Sequence, residues 1–241
     1  MIELNKIYNE DCLETMRRMQ PGSCDLVITS PPYNFDAGSH IGHKYNKKVK
    51  DNLSVDEYFN WQKKCIDEMI RVGKYVFYNI QFISGNKQAL CRLIGGYERV
   101  LKEIIIWDKT TAEPAMNENV LNSQFEFILI FSEDPGRKFN TAYFNRGELS
   151  NLWYVRKVHN WKDEIFLEHS ATFPLEIPGK IIKYFSKEGD IIYDPFMGVG
   201  STAIACIRAN RNYVGSEIVS DYCEIARKRI EKELSQLKLA I

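Results

Sequence analysis

Apolar and polar positions along the chain follow two rhythms. Short apolar runs such as Leu26-Val27-Ile28 and Tyr75-Val76-Phe77-Tyr78 have strand length. Between them lie longer stretches in which apolar residues recur every three or four positions, as on one face of a helix. The pattern predicts strands over residues 6–8, 25–29, 74–78, 100–107, 125–131, 190–193 and 212–216. It predicts helices over 13–19, 54–72, 87–94, 175–185, 201–209 and 220–237. Ser54 with Glu57 three residues later reads as a capping box, and Gly95-Gly96 as a helix stop. Strands alternate with helices, so the expected fold is α/β: a doubly wound, mostly parallel seven-stranded sheet with helices on both faces. One domain over 1–241 is expected, with two excursions: a polar stretch over 34–52 and an irregular, aromatic and basic stretch over 132–165.

Composition narrows the class. At 241 residues, 44% hydrophobic and 27% charged, the chain is long enough for one buried core. No apolar run approaches the ~18 residues of a membrane span, and the N-terminus lacks a basic segment followed by an apolar one, so a cytoplasmic protein with no membrane partner is expected. The six cysteines form no CxxC pair and have no zinc-like spacing with the four histidines, which predicts neither a metal site nor disulfides. Lys plus Arg and Asp plus Glu balance at 32 each. Net charge therefore does not advertise a nucleic-acid partner, although local clusters decide that question.

Two loops carry candidate chemistry. Asp194-Pro195-Phe196-Met197-Gly198-Val199-Gly200-Ser201-Thr202 lies between a predicted strand and a predicted helix. Glycines there allow a tight turn and close approach to a ligand, and the helix N-terminus favours negative charge. Glu217 ends the next strand, about 20 residues beyond the loop, where an acid accepts hydrogen bonds from ribose hydroxyls. Together these point to an adenosine-containing ligand; a bare GxG would mark only a structural turn. The second loop, Ser30-Pro31-Pro32-Tyr33-Asn34, follows the strand that ends at Thr29. Two prolines remove two N–H donors and fix φ, leaving a stiff row of carbonyls, with the Ser30 hydroxyl as a further acceptor and Tyr33 as a flat π-face. Acceptors beside an aromatic platform suit a planar base bearing an NH₂ group, whose nitrogen they draw toward tetrahedral geometry. A Pro-Pro turn with a packed tyrosine is the plainer alternative.

Taken together, these residues resemble the β-class amino-group DNA methyltransferases of restriction–modification type. The catalytic motif precedes the cofactor motif, as in their circularly permuted order. The resemblance implies S-adenosyl-L-methionine as cofactor and double-stranded DNA as partner. It implies that Ser30, Pro31, Pro32 and Tyr33 are catalytic, with Ser30 also touching the cofactor. It further places Asp11 and Cys12, in Asn9-Glu10-Asp11-Cys12-Leu13, at the cofactor adenine. His169, Phe173 and Pro174, in His169-Ser170-Ala171-Thr172-Phe173-Pro174, fall at its methionine side, with Ser170 where the family usually has proline. Asp194, Pro195, Phe196, Gly198, Gly200, Ser201, Thr202 and Glu217 complete the cofactor set. Asp11, Ser30, Asp194 and Glu217 each fall at or just past the C-terminal end of a predicted strand, the edge where open α/β sheets bind ligands.

Residues 1–131 then form a catalytic half, 132–165 a target-recognition segment, and 166–241 the main cofactor-binding half. Ser-Pro-Pro-Tyr and Phe173-Pro174 resemble the cytosine-N4 branch, with adenine N6 the alternative. Methylation of RNA or of a protein amide, or a non-catalytic nucleic-acid-binding module, are the rivals. The target base must be flipped out of the duplex to reach such a site. Lys44, Lys47 and Lys48 in the first excursion, and Arg146, Arg156 and Lys157 in the second, are the expected DNA contacts. A second excursion this short suits a short recognition sequence or two subunits sharing the reading. A cognate endonuclease and a homodimer are the further partners considered.

Overall fold

The computed structural model describes residues 2–35, 52–113, 118–134, 136–140, 142–157 and 173–239. Among these the elements run β1 (Lys6–Tyr8), α1 (Cys12–Arg17), β2 (Cys24–Thr29), α2 (Val55–Val72), β3 (Gly73–Ile80), α3 (Lys87–Gly96), β4 (Leu101–Glu113), β5 (Ser123–Phe131), β6 (Leu152–Tyr154), α4 (Glu176–Phe185), β7 (Ile191–Asp194), α5 (Ser201–Arg208), β8 (Asn212–Ser216) and α6 (Ser220–Leu239). One sheet joins the strands in the order β1-β8-β7-β2-β3-β5-β4-β6. Only β5 runs against its neighbours; the other pairings are parallel.

Alternation along each strand builds two apolar layers. Leu26, Ile28, Phe77, Ile128 and Ile130 face one side, where Ile177, Ile181 and Phe185 of α4, Ala203 of α5 and Ala226 of α6 cover them. Val27, Val76, Tyr78, Leu129 and Phe131 face the other, beneath Met16 of α1, Ile66 and Met69 of α2, and Leu90 of α3. The α/β sandwich expected from the sequence is therefore present. The Ser54–Glu57 capping box also forms, with the Ser54 N–H donating to the Glu57 carboxylate at 3.0 Å and the Glu57 N–H donating back to Ser54 Oγ at 3.4 Å.

Three details differ from expectation. The sheet has eight strands among the described residues, because Leu152–Tyr154 adds β6 alongside β4. β4 continues to Glu113, and α3 runs through Gly95 and Gly96 to end there. β6 forms because Trp153 anchors it: the indole is 1% exposed, donates to the Ser150 carbonyl at 2.8 Å, and lies under the Lys180 ammonium at 4.5 Å. Much of the aromatic content of 132–157 packs in the same way. Phe139 and Phe144 both stack against Phe185. Replacing a buried tryptophan leaves a large cavity, so Trp153→Ala is expected to cost about 3–5 kcal/mol. Urea unfolding of the two proteins measures that difference, and a loss below about 1 kcal/mol would show that β6 is peripheral to the fold.

Candidate active site

The site begins at Asp194, the last residue of β7. Its carboxylate is buried and makes three hydrogen bonds. Thr29 Oγ1 donates to Oδ1 at 2.8 Å, the Phe196 N–H to Oδ1 at 3.0 Å, and Thr202 Oγ1 to Oδ2 at 2.6 Å. One side chain thus ties the end of β2, the glycine loop and the first turn of α5 together, across 165 residues of sequence between Thr29 and Asp194. Gly198 (φ 52°) and Gly200 (φ 88°) supply the left-handed backbone that the loop needs between them. A Cβ on Gly200 would lie 3.1 Å from Ala226 Cβ, so the loop also packs tightly on α6. Pro195 and the first two residues of α5, Ser201 and Thr202, are buried, and the Phe196 ring meets Trp61 edge-on at 5.8 Å.

Glu217 closes the other side of this pocket. Gly198 N–H donates to Oε2 and Val219 N–H to Oε1, each at 2.8 Å, so the side chain is fixed while each oxygen keeps a further lone pair. The Glu217 N–H donates to the Tyr8 carbonyl, and Asn9 Nδ2 donates to the Glu217 carbonyl, which brings the end of β1 alongside. Asp11 follows there as the N-cap of α1: Oδ1 accepts from the Leu13 N–H at 2.8 Å and the side chain remains exposed. Cys12 is placed differently. Its thiol is buried 4.0 Å from Cys65 Sγ, and its carbonyl accepts from Tyr193, so the side chain faces the core.

The chemistry of this donor set fits S-adenosylmethionine. Glu217 offers fixed acceptor oxygens of the kind ribose hydroxyls require, and neither buried acid is ion-paired to a described lysine or arginine. Burial holds the Asp194 carboxyl up at about 6 against its three hydrogen bonds, and burial followed by the charge of Asp194 raises Glu217. A pocket with two carboxylates held this way suits a ligand that brings its own positive charge.

Beyond β2 the Ser30–Asn34 turn is held from several sides. The Tyr58 hydroxyl donates to the Pro32 carbonyl at 2.8 Å, and Asn86 Nδ2 donates to the Tyr33 carbonyl at 2.9 Å. Asn34, at φ 62°, donates to the Leu53 and Gly85 carbonyls and accepts from the Leu53 N–H. Two of the turn's carbonyls thus serve the fold, contrary to a row of free acceptors. Among the described residues no donor reaches the Pro31 carbonyl. Ser30 Oγ lies 2.8 Å from the Tyr33 hydroxyl, which donates to Glu126 Oε2 at 2.8 Å. Asn79 Nδ2 reaches Ser30 Oγ, the Tyr33 hydroxyl and Glu126 Oε2 at 3.3, 2.6 and 2.8 Å, and Lys109 Nζ lies 3.7 Å from Glu126 Oε1.

Asn79, Glu126 and Lys109 were not singled out from the sequence, yet they carry a readable signal. Each occupies the last buried position of an otherwise apolar row: Phe77-x-Asn79, Glu126-x-Ile128-x-Ile130, and Ile105-x-Trp107-x-Lys109. Phe173 reaches the same region, its ring 6.5 Å from that of Trp107, with Pro174 buried behind it. Arg156 and Lys157 follow β6 at this C-terminal edge of the sheet. Arg146 does not: it lies in the turn that enters β6 from the opposite edge, beside the C-terminus of α4, where the Tyr143 N–H donates to Tyr184. His169, Lys44, Lys47 and Lys48 lie outside the described residues.

A family model describing DNA methylases matches residues 24–228. The chain belongs to the DNA methylase family. As a methylase of this N6/N4 amino-group class it transfers methyl groups from S-adenosylmethionine to DNA. It is 27% identical over 265 residues to the type II methyltransferase M.BglII of Bacillus subtilis, covering 95% of this chain and 70% of that one. It is likewise 27% identical over 247 residues to M.HpaI of Haemophilus parainfluenzae, covering 95% and 75%. Among solved structures it resembles the PvuII DNA methyltransferase, described as cytosine-N4-specific, with a TM-score of 0.72 at 19% identity over 95% of this chain and 90% of that one. It also resembles an M1.HpyAVI–SAM complex, with a TM-score of 0.60 at 22% identity over 93% and 98%. No helix among the described residues is long and apolar enough to cross a membrane.

The raised Asp194 carboxyl sets a pH dependence for the methylase. Because burial favours its protonated form, it contributes stability that is full below 3.8, its ordinary value, and is lost as pH rises through about 6. Denaturation midpoints measured from pH 4 to 7 should therefore fall for the wild type relative to Asp194→Asn. Parallel profiles for the two proteins would contradict this reading of the buried carboxyl.

Proposed function

We propose that this DNA methylase modifies the N4 amino group of cytosine within a short specific site in duplex DNA. The observation that carries the proposal is the Ser30–Pro31 pair. A neutral hydroxyl and a carbonyl that no donor reaches among the described residues follow one another at the end of β2, next to the pocket that Asp194 organises. An exocyclic amine has two hydrogens, and these two acceptors receive them. That draws the nitrogen lone pair out of conjugation and aims it at the cofactor side. S-adenosylmethionine, held by Asp11, the Gly198–Gly200 loop and Glu217, supplies a methyl group on a positively charged sulfur. Tyr33 presents its ring to the base, a contact of roughly 1–3 kcal/mol that tolerates sequence around the target. Its hydroxyl bonds hold that ring in one plane. The cytosine preference is supported by the Ser-Pro-Pro-Tyr form of the motif and by the likeness in fold to a cytosine-N4-specific enzyme.

Residues 1–131 serve as the catalytic half and 166–241 as the main cofactor half, with the target read from 132–165. Within that segment Arg156 and Lys157 stand at the ligand edge, where they meet phosphates or guanine edges; Lys44, Lys47 and Lys48 are proposed as further phosphate contacts on their sequence alone. The segment is short, and within it Trp153 is buried while Phe139 and Phe144 are partly buried against the core, which favours a short site or a homodimer that divides the task. The likeness to type II methyltransferases supports a cytoplasmic setting and a cognate endonuclease as parts of this proposal.

Two measurements test this reading. Mass spectrometry of nucleosides from a methylation-free host expressing the chain is expected to find N4-methylcytosine. N6-methyladenine alone would reassign the base, and an unmodified genome would remove DNA as substrate. Arg156→Ala with Lys157→Ala is expected to weaken DNA binding and to reduce its salt dependence by about one unit per lost phosphate contact. Arg146→Ala should leave both unchanged; equal effects from all three would place the DNA on another face.

A further inference from the structure

We propose that Glu126 is a positioning residue of the methyl-transfer site, acting through the Tyr33 hydroxyl to hold Ser30 as an acceptor and to receive the proton that the target amine gives up. The inference rests on the reading of Ser30 to Tyr33 as the site that receives the base.

The direction of the chain follows from its end. An ionised carboxylate can only accept, so the Tyr33 hydroxyl must donate its proton to Glu126 Oε2, 2.8 Å away. Having spent its proton, Tyr33 must accept from Ser30, also at 2.8 Å. Ser30 then turns its hydrogen toward Tyr33 and its lone pairs toward the base. Asn79 reinforces this order, because the two hydrogens of its amide nitrogen are shared among the same three oxygens. Without the carboxylate the two hydroxyls can reverse, and Ser30 would present a hydrogen to an amine that itself needs an acceptor. Glu126 thereby lets a neutral serine serve as a one-way acceptor.

Lys109 stands on the far side of this carboxylate. It is 1% exposed, and its Nζ stands 3.7 Å from Glu126 Oε1, so each buried charge offsets the other. The backbone is shaped to bring it there. β4 loses register between Asp108 and Glu113, and Thr110 adopts φ 66°, rare for a β-branched residue, with its N–H held by Asp108 Oδ1. Bulges of this kind re-aim side chains next to active sites.

The proton balance closes within these groups. When the amine nitrogen bonds the methyl carbon, the carbon–sulfur electron pair stays on sulfur and the nitrogen becomes positive. One N–H proton then passes to Ser30 Oγ as the Ser30 proton passes to Tyr33 and the Tyr33 proton to Glu126. The products are a neutral methylated amine and a protonated Glu126, which returns its proton to solvent before the next turnover.

Tyr33→Phe keeps the ring and both buried charges but cuts the chain. It is expected to lower kcat roughly 100-fold while DNA affinity, measured by anisotropy without cofactor, and KM stay within a few-fold. Glu126→Gln should give a similar loss, and the double variant no further loss, because the residues act as one unit. Because Glu126→Gln leaves Lys109 without its carboxylate, Glu126→Gln/Lys109→Met provides a charge-matched version, with thermal melting as the check on folding. Unchanged kcat in Tyr33→Phe, or additive losses in the double variant, would each overturn the assignment. Ser30→Ala separates the two readings: if it retains full transfer, the site itself is misread, whereas an inactive Ser30→Ala beside a fully active Glu126→Gln sinks only the role of Glu126.

Discussion

The structure turns on one buried carboxylate. Asp194 ends β7 and accepts from Thr29, Thr202 and the Phe196 backbone, so a single group fixes where β2 ends, how the glycine loop turns and where α5 starts. Charge-assisted hydrogen bonds of this kind are stronger than neutral ones, and in a water-poor interior they hold geometry as well as energy. Ser30 is the next residue after Thr29. The position of the Ser30 turn relative to the glycine loop is therefore set by a single buried side chain.

A second constraint runs across the sheet. At the edge where the apolar face of β2, β3, β5 and β4 ends, each strand contributes a polar group: Ser30, Asn79, Glu126 and Lys109 in turn. Burying a carboxylate and an ammonium is costly, and the cost is offset here because the two lie near one another and the carboxylate accepts from Tyr33 and Asn79. The same row provides what the chemistry requires, a fixed hydrogen-bond direction beside a dry, aromatic wall. The reversal of β5 matters for this reason. Running antiparallel, it brings its first residues to the edge where its neighbours bring their last.

Much of this was legible beforehand. The alternation of apolar runs gave the strand and helix sequence, and Asp194, Glu217 and Ser30 could be placed on one edge because each follows a strong apolar strand. Long motifs with few solutions, such as two prolines after a strand or GxG before a helix, translate into geometry directly. What escaped notice has physical reasons. β6 is three residues long and owes its existence to Trp153 packing rather than to any local pattern. Glu126 and Lys109 look like ordinary strand polar residues until the fold brings Glu126 to the Tyr33 hydroxyl and Lys109 to Glu126. Cys12 sits next to the capping Asp11, yet helix geometry turns its thiol inward toward Cys65. The engagement of the Pro32 carbonyl by Tyr58 depends on an orientation of α2 that spacing alone does not specify.

The claim that joins these observations is that the Ser30 turn and the Asp194 loop form one site. A crystal structure of the chain with S-adenosylhomocysteine and duplex DNA carrying its target site measures this most directly. The expected result is the ribose on Glu217, the sulfur facing Ser30, and a flipped base whose amino group bonds Ser30 Oγ and the Pro31 carbonyl. A nucleoside bound elsewhere, or a base whose amino group is turned away from Ser30 and Pro31, would contradict it.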